Sequence, residues 1–222
     1  MKDVAAIVLA AGRSRRMGAF KPLLPFGDRT VIESCITNIT SAGIESVIVV
    51  LGHRASDLKA KLENYPITFV VNPDPDSEMS VSIALGIGRL PVEAKAVLIT
   101  PADHPAVPAE IIEAIVDEWR RSGARLIRPE YEGRGGHPVL IDLIFRNEML
   151  NLDPKTGLRS LFDRHREQAR RVPVGSPLVA RDMDTWEDYR DLHMAVFGRK
   201  PEQTTGDEPQ QAATNGNRPG LI

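Results

Sequence analysis

Val4-Ala5-Ala6-Ile7-Val8-Leu9 runs without a break into Ala10-Ala11-Gly12-Arg13-Ser14-Arg15-Arg16-Met17-Gly18-Ala19-Phe20-Lys21. The first six residues form a short, continuously apolar run, the pattern of a parallel strand buried on both faces. The stretch from Ala10 to Lys21 is rich in small residues, glycine and cations. Ala10, Ala11 and Gly12 let backbone come close to a flat ligand, and amides in such a turn can form an anion-binding nest. Arg13, Arg15, Arg16 and Lys21 add positive charge, so polyphosphate is the natural partner. Neither the Walker A spacing nor GxGxxG occurs here. A surface loop with merely solvated arginines is the plainer reading. The position of this loop at the end of a buried first strand argues against it.

Strand-like and helix-like segments alternate outward from that point. Further buried strands are expected at Ser46–Leu51, Ile67–Val71 and Ala96–Ile99. Helices are expected at 30–42, 56–63, 80–89 and 108–121, the last with Pro108 in its first turn. This order predicts an α/β fold of three layers, α/β/α, around a mostly parallel sheet. Ligands of such sheets bind past the carboxyl ends of the strands, so the loops after Leu9, Leu51, Val71 and Ile99 share the functional rim. Beyond residue 124 the alternation weakens. Arg125–Pro129 and His137–Ile141 flank the turn Glu132-Gly133-Arg134-Gly135-Gly136 and read as an antiparallel excursion. A helix over 158–168, late strands at Val172–Val174 and Val179–Met183, and a last helix over 185–196 complete a domain of residues 1–198. Residues 199–222 are polar and Pro/Gly-rich and read as a disordered tail.

Composition excludes several classes. The 222 residues carry 28 Lys plus Arg and 30 Asp plus Glu, a net charge of −2 that disfavours a general nucleic-acid or anionic-membrane binder. A single cysteine, Cys35, excludes an internal disulfide framework. No apolar run approaches the ~18–20 residues of a membrane span. The short run after Lys2 is a poor signal peptide, with Asp3 before it and arginines behind it, so a cytoplasmic location is expected. The five histidines lack HxxxH or HExxH spacing, and no GxSxG elbow exists. Met17 and Phe20 suit packing of the loop on the core, and Trp119 suits a helical apolar stripe.

The loop LAAGRSRRMGAFK resembles the LAAGxSxRMGxxK loop of nucleotidyltransferases of the molybdenum-cofactor type, and among them the molybdenum cofactor cytidylyltransferases. The likeness spans roughly residues 4–196. It implies a glycosyltransferase-A-like (nucleotide-diphospho-sugar transferase) fold and Mg2+-dependent transfer of CMP from CTP to the phosphate of molybdopterin, with release of pyrophosphate. Pro101-Ala102-Asp103-His104-Pro105 resembles the family's GD-x-P motif, with Ala102 in place of Gly. A carboxylate at a strand end suits Mg2+ bound with triphosphate oxygens, and the resemblance makes Asp103 that ligand. A helix-capping Asp is the plainer alternative.

Asp182-Met183-Asp184-Thr185-Trp186-Glu187-Asp188-Tyr189 resembles the DxDTxEDY run and makes Asp184 a second metal ligand. Thr185 with Asp188 also reads as a capping box. Asn72-Pro73 with Glu78-Met79-Ser80-Val81-Ser82 resembles the NP…GMSxS segment, with Glu78 in place of Gly. Its serines face the nucleotide in the family, and Ser80 also suits a plain N-cap. Gly135-Gly136-His137-Pro138-Val139 resembles the GxP segment bordering the acceptor, and a hairpin turn explains the glycines equally.

The resemblance therefore implies Lys21, Arg16 and Asp103 as catalytic residues, and Asp103 and Asp184 as metal ligands. Nucleotide contacts are implied for Leu9, Ala10, Ala11, Gly12, Ser14, Gly52, Asn72, Ser80 and Ser82, and acceptor contacts for Gly136, His137 and Pro138. A recipient molybdoenzyme is an implied partner. Two rivals stand beside this reading: transfer from GTP or to another phosphorylated acceptor such as a sugar phosphate, and a non-catalytic module delivering a cofactor. The last would bind nucleotide without releasing pyrophosphate.

Overall fold

The computed structural model describes residues 1–14, 16–74 and 76–201. Arg15 and nearly all of the expected tail, residues 202–222, lie outside the described residues.

The first half alternates as its sequence suggests. Strand β1 (Val4–Ala10) is followed by a tight β2 (Pro25–Phe26) and β3 (Arg29–Thr30) hairpin, helix α1 (Val31–Ser41), β4 (Ser46–Leu51), α2 (Ala55–Lys61), β5 (Thr68–Val71), α3 (Met79–Ile87), β6 (Ala96–Pro101) and α4 (Ala109–Ser122). Then come β7 (Leu126–Tyr131), β8 (Arg134–Gly135), β9 (Val139–Asp142), α5 (Arg146–Leu150), α6 (Leu158–Arg164), β10 (Ala169–Pro173) and α7 (Trp186–Phe197). Local chemistry sets the ends. The Glu33 carboxylate accepts from the backbone N–H (2.8 Å) and hydroxyl (2.7 Å) of Thr30 at the start of α1. Gly123 and Gly198, both with positive φ, stop α4 and α7.

The main sheet runs β10-β7-β9-β6-β1-β4-β5, with β8 paired to β7. β1 lies parallel to both β4 and β6, and β4 to β5. β9 enters antiparallel between β6 and β7, with Ile99 opposite Val139 and Leu126 opposite Ile141. The Gly-rich segment is thus an antiparallel excursion inside one mixed sheet.

All seven residues of β1 are buried, and their alternation divides the core. Ala6, Val8 and Ala10 face a cluster with Ile32 and Ile36 of α1 and Ile112, Ile115 and Val116 of α4. Ala5, Ile7 and Leu9 face the opposite layer, with Ile83 and Ile87 of α3 and Met149 of α5. Burying each such isoleucine stabilises the fold by about 1.5–3 kcal/mol. A third, smaller cluster joins Met17, Leu24 and Phe26 to Met183, Tyr189 and Leu192, and so pins the segment after β1 against α7.

Three expectations are corrected. Val179–Met183 is not a strand: Pro177–Ala180 forms a 3-10 turn capped by the Ser176 hydroxyl, because Pro177 at the first position favours a turn. The helix expected over 158–168 ends at Arg164, and β10 begins at Ala169, earlier than the expected Val172. Helix α5 and the β2–β3 hairpin are too short to leave a periodic signature. Among the described residues no helix is long and apolar enough to cross a membrane.

Candidate active site

β1 sits where the strand order reverses, with β4 and β5 on one side and β6 on the other. A crevice of about 370 Å³ opens there, beyond the carboxyl ends of the strands. Leu9, Ala10, Ala11, Gly12 and Ser14 line it from the end of β1, Pro101, Ala102 and Asp103 from the end of β6, and Asp184 from the residue before the Thr185 cap of α7.

Lys21 is the hub. Its side chain is only 8% exposed, and its ammonium lies 3.3 Å from Asp103 Oδ2 and 2.7 Å from Asp184 Oδ1. The two acids are 81 positions apart in sequence (103 and 184), and one cation gathers them. Arg16, largely exposed, pairs with the other oxygen of Asp184. Partial burial pushes the Asp184 carboxyl up. The hydrogen bond and charge of Lys21, together with Arg16, outweigh it and hold the group below the usual carboxylate range.

The segment carrying Lys21 is fixed from both sides. The Ser14 carbonyl accepts from the amides of Met17 and Gly18, both at 3.3 Å, and the Ser14 hydroxyl accepts from the Lys21 amide at 3.3 Å. Met17 and Phe20 are buried, and Phe20 packs beneath the Arg54 guanidinium, 5.0 Å from its ring centre. Asp188 caps α7 by accepting from the Thr185 amide at 2.7 Å. The acidic run thus divides its work: Asp188 serves the helix and leaves Asp184 for Lys21, while Asp182 is exposed and outside the crevice lining.

Asn72 and Ser82 also line the crevice, but as a pair: Asn72 Nδ2 donates to Ser82 Oγ at 3.0 Å and to Ser77 Oγ at 2.8 Å. The Asn72 side-chain oxygen accepts from the Asp74 amide at 3.0 Å, so this residue builds the 72–77 rim. Sequence reasoning missed Pro22, Asp74, Ser77 and Met79, which complete the lining. The turn-rich stretch Asn72-Pro73-Asp74-Pro75-Asp76-Ser77 was their available signal, although Pro75 lies outside the described residues.

Two expected nucleotide contacts lie elsewhere. Gly52 is not in the lining. A Cβ there would stand 2.7 Å from the Ala11 carbonyl oxygen, so this glycine lets β4 support the loop from behind. Ser80 is buried within α3, whose cap is Glu78, and is turned away: Met79 and Ser82, three residues apart, share the crevice face, and Ser80 lies about 100° round the helix from Met79.

The expected acceptor residues sit beside the crevice. A larger basin of about 980 Å³ meets it at Met79 and is lined by Gly136 and His137, whereas Pro138 is buried outside the lining. A Cβ at Gly136 would lie 2.0 Å from the Val179 carbonyl oxygen, so the missing side chain there serves chain packing. The His104 and His137 rings stand 5.0 Å apart, and the Nδ1 atom of each is buried without a hydrogen-bond partner. Burial first, then the His104 charge, pushes the His137 imidazole down to about 4. Trp119 takes no part, since its Nε1 donates to Asp142 Oδ2 at 3.1 Å and neither residue lines either cavity.

Asp103 and Asp184 are hard oxygen donors converging on one cationic position, a pair that fits a divalent ion completed by phosphate oxygens. Among the described residues no group of three or more His, Cys, Asp or Glu is placed to hold a metal ion.

Comparison with known proteins gives the family and the fold. The sequence profile described as MobA-like NTP transferase domain matches residues 6–169. The chain is 26% identical over 192 residues to the molybdenum cofactor cytidylyltransferase of Escherichia coli (strain K12), covering 85% of this chain and 95% of that one. The crystal structure of Rv0371c from Mycobacterium tuberculosis H37Rv superposes with a TM-score of 0.77 at 29% identity, covering 86% of this chain and 97% of that one. A structure of Rv0371c in complex with manganese matches with a TM-score of 0.73 at 27% identity over the same shares.

Proposed function

We propose that this chain, which belongs to the MobA-like NTP transferase domain family, transfers CMP from CTP to the phosphate of molybdopterin with release of pyrophosphate. NTP-transfer chemistry is the family's; cytidylyl donor and molybdopterin acceptor are our reading, supported by the likeness to the Escherichia coli enzyme over nearly its whole length. The observation that carries it is the meeting of Lys21, Asp103 and Asp184 at the end of the glycine loop.

The reaction joins an oxygen of the acceptor phosphate to the α-phosphorus and breaks the bond from that phosphorus to the oxygen bridging to the β-phosphorus. Such transfers depend on positioning and charge neutralisation more than on covalent help from the protein. Backbone around Ala10–Gly12 approaches the nucleotide closely, because only small residues stand there. The Lys21 ammonium, shielded from water, neutralises charge on the triphosphate and the departing pyrophosphate. Arg16, exposed on the rim and paired with Asp184, adds a second cation for the same oxygens. Asp103 and Asp184 would hold Mg2+, which when bound supplies further neutralisation of phosphate charge; the manganese complex of Rv0371c supports a divalent ion in this fold. The acceptor phosphate is already ionised, so no general base is needed.

The test is pyrophosphate release from each of the four nucleoside triphosphates, with and without molybdopterin. Release from CTP that requires molybdopterin is expected. Preference for GTP overturns the cytidylyl assignment, and indifference to molybdopterin overturns the acceptor.

A further inference from the structure

The basin beside the crevice carries a charge pattern that phosphate transfer alone does not call for. Arg128, Lys155, Arg159, Arg166, Arg170 and Arg171 line it, against two carboxylates, Glu78 and Asp163. Four of these cations are already engaged. Arg159 and Arg166 share Asp163, at 3.8 and 3.1 Å, Arg170 pairs with Glu118 at 3.4 Å, and Arg171 pairs with Glu130. Among the described residues Arg128 and Lys155 have no carboxylate within ion-pair reach.

An unpaired lysine on the surface is ordinary. Arg128 is not, because it is partly buried on β7 and stands in register with Arg171 of β10. Burial first, and the like charge of Arg171 second, push its guanidinium down against the weaker attraction of Glu130 and Asp163. It lies between Phe162 and Gly135. The guanidinium carbon lies 5.8 Å from the centre of the Phe162 ring, and at Gly135 even a Cβ would come within 3.1 Å of it. Glu130 and Asp163 attract it from beyond ion-pair distance, but they are paired with Arg171 and with Arg159 and Arg166, so this partly buried cation beside an aromatic ring is arranged to receive a further anion. Phe162 and the guanidinium also offer flat surfaces to the same space.

We propose that the basin binds the end of the acceptor remote from its reacting phosphate, and that this end is flat and anionic, held by Arg128 beside Phe162 and by Lys155. This rests on the reading of the crevice as the donor-nucleotide site, since the acceptor's reacting phosphate must then lie at the junction near Met79. Volume fits the assignment: the basin, at about 980 Å³, exceeds the crevice, at about 370 Å³, and has room for a fused-ring group with its substituents. Arg128 and Lys155 are then specificity-determining residues, acting on KM for the acceptor.

The experiment is calorimetric titration of the full chain with 1-naphthyl phosphate, a flat aromatic anion, at low salt and with α,β-methylene-CTP saturating. The probe is expected to bind alongside the nucleotide analogue. Arg128→Ala should weaken it at least tenfold, Lys155→Ala severalfold, and Arg128→Lys by an intermediate amount, because charge remains but the flat face is lost. Inorganic phosphate should bind at least tenfold more weakly than the naphthyl probe. Thermal unfolding of each variant separates loss of the site from loss of fold, and Arg128→Lys keeps the test decisive if Arg128→Ala is unstable. Unchanged affinity in folded Arg128→Ala, competition between probe and nucleotide analogue, or no binding to the wild type would each overturn the proposal. The donor reading fails separately: the chain would then not bind α,β-methylene-CTP, and the dependence of naphthyl phosphate binding on Arg128 would still be measurable.

Discussion

The two cavities meet at Met79 but handle charge in opposite ways. In the crevice the cations Lys21 and Arg16 are paired with Asp103 and Asp184, so these four charges neutralise one another before any ligand arrives, and Asp74 adds one further carboxylate to the lining. In the basin six cations outnumber the carboxylates, and among the described residues Arg128 has no carboxylate within ion-pair distance. On the proposed reading such a paired site would bind by exchange: incoming phosphate would draw on the lysine, and the freed carboxylates would be left to hold a divalent ion. A site with surplus charge binds by simple attraction. The first suits a reacting centre, where partners must change during the reaction. The second suits a group that is only held.

The largest effects should come from breaking the exchange. Lys21→Ala should lower kcat/KM for nucleotidyl transfer by about 100- to 1,000-fold, the loss of one shielded charge contact to the reacting phosphates, with the fold retained by circular dichroism. Near-wild-type turnover would remove Lys21 from the site. Asp103→Asn should leave a folded protein whose metal-dependent turnover is lost, and normal rates at saturating Mg2+ would refute its role as ligand.

Effects on the basin side should be smaller and structural. Gly136→Ala forces a methyl group against the Val179 carbonyl, and it should cost up to about 3 kcal/mol in chemical denaturation, the upper part of the overpacking range. No loss of stability would show that the Gly136–Val179 contact relaxes freely.

The smallest effect concerns pH. His137 titrates near 4 in the folded chain and near its ordinary 6.5 when unfolded, so between those values the unfolded state binds more protons. Its contribution is complete above pH 6.5 and is lost as pH falls toward 4. The amount, discounted for partial exposure, is about 1–2 kcal/mol. Denaturation midpoints of His137→Gln should fall less steeply than wild type over that window. Parallel pH profiles would contradict the assignment.

The crevice is far more legible in sequence than the basin, for a physical reason. Strand β1 and the segment to Lys21 are contiguous, and a buried strand leading into small residues and cations leaves a dense local signature. Asp103 can be placed because β6 ends shortly before it. Asp184 is ambiguous, since an acidic run before a helix reads equally as a cap, and in the fold Asp188 fills that role. Ser80 and Ser82 cannot be told apart without the phase of α3, which begins at Met79. The basin cations sit on β7, on the segment around α6 and on β10, and they gather only because β9 enters antiparallel and β10 pairs with β7. No spacing in the sequence encodes that meeting. Val179 illustrates the same limit: its neighbours look like a strand, but its carbonyl accepts from the His137 amide at 2.9 Å.

The central claim is that Lys21 and Asp103 act on one triphosphate. A double-mutant cycle of Lys21→Ala and Asp103→Asn, read as kcat/KM for pyrophosphate release, tests it most directly. Residues serving one reacting centre are strongly non-additive, so the double variant should be little worse than the poorer single variant. Losses that multiply in full would place the two residues in separate functions and contradict the account.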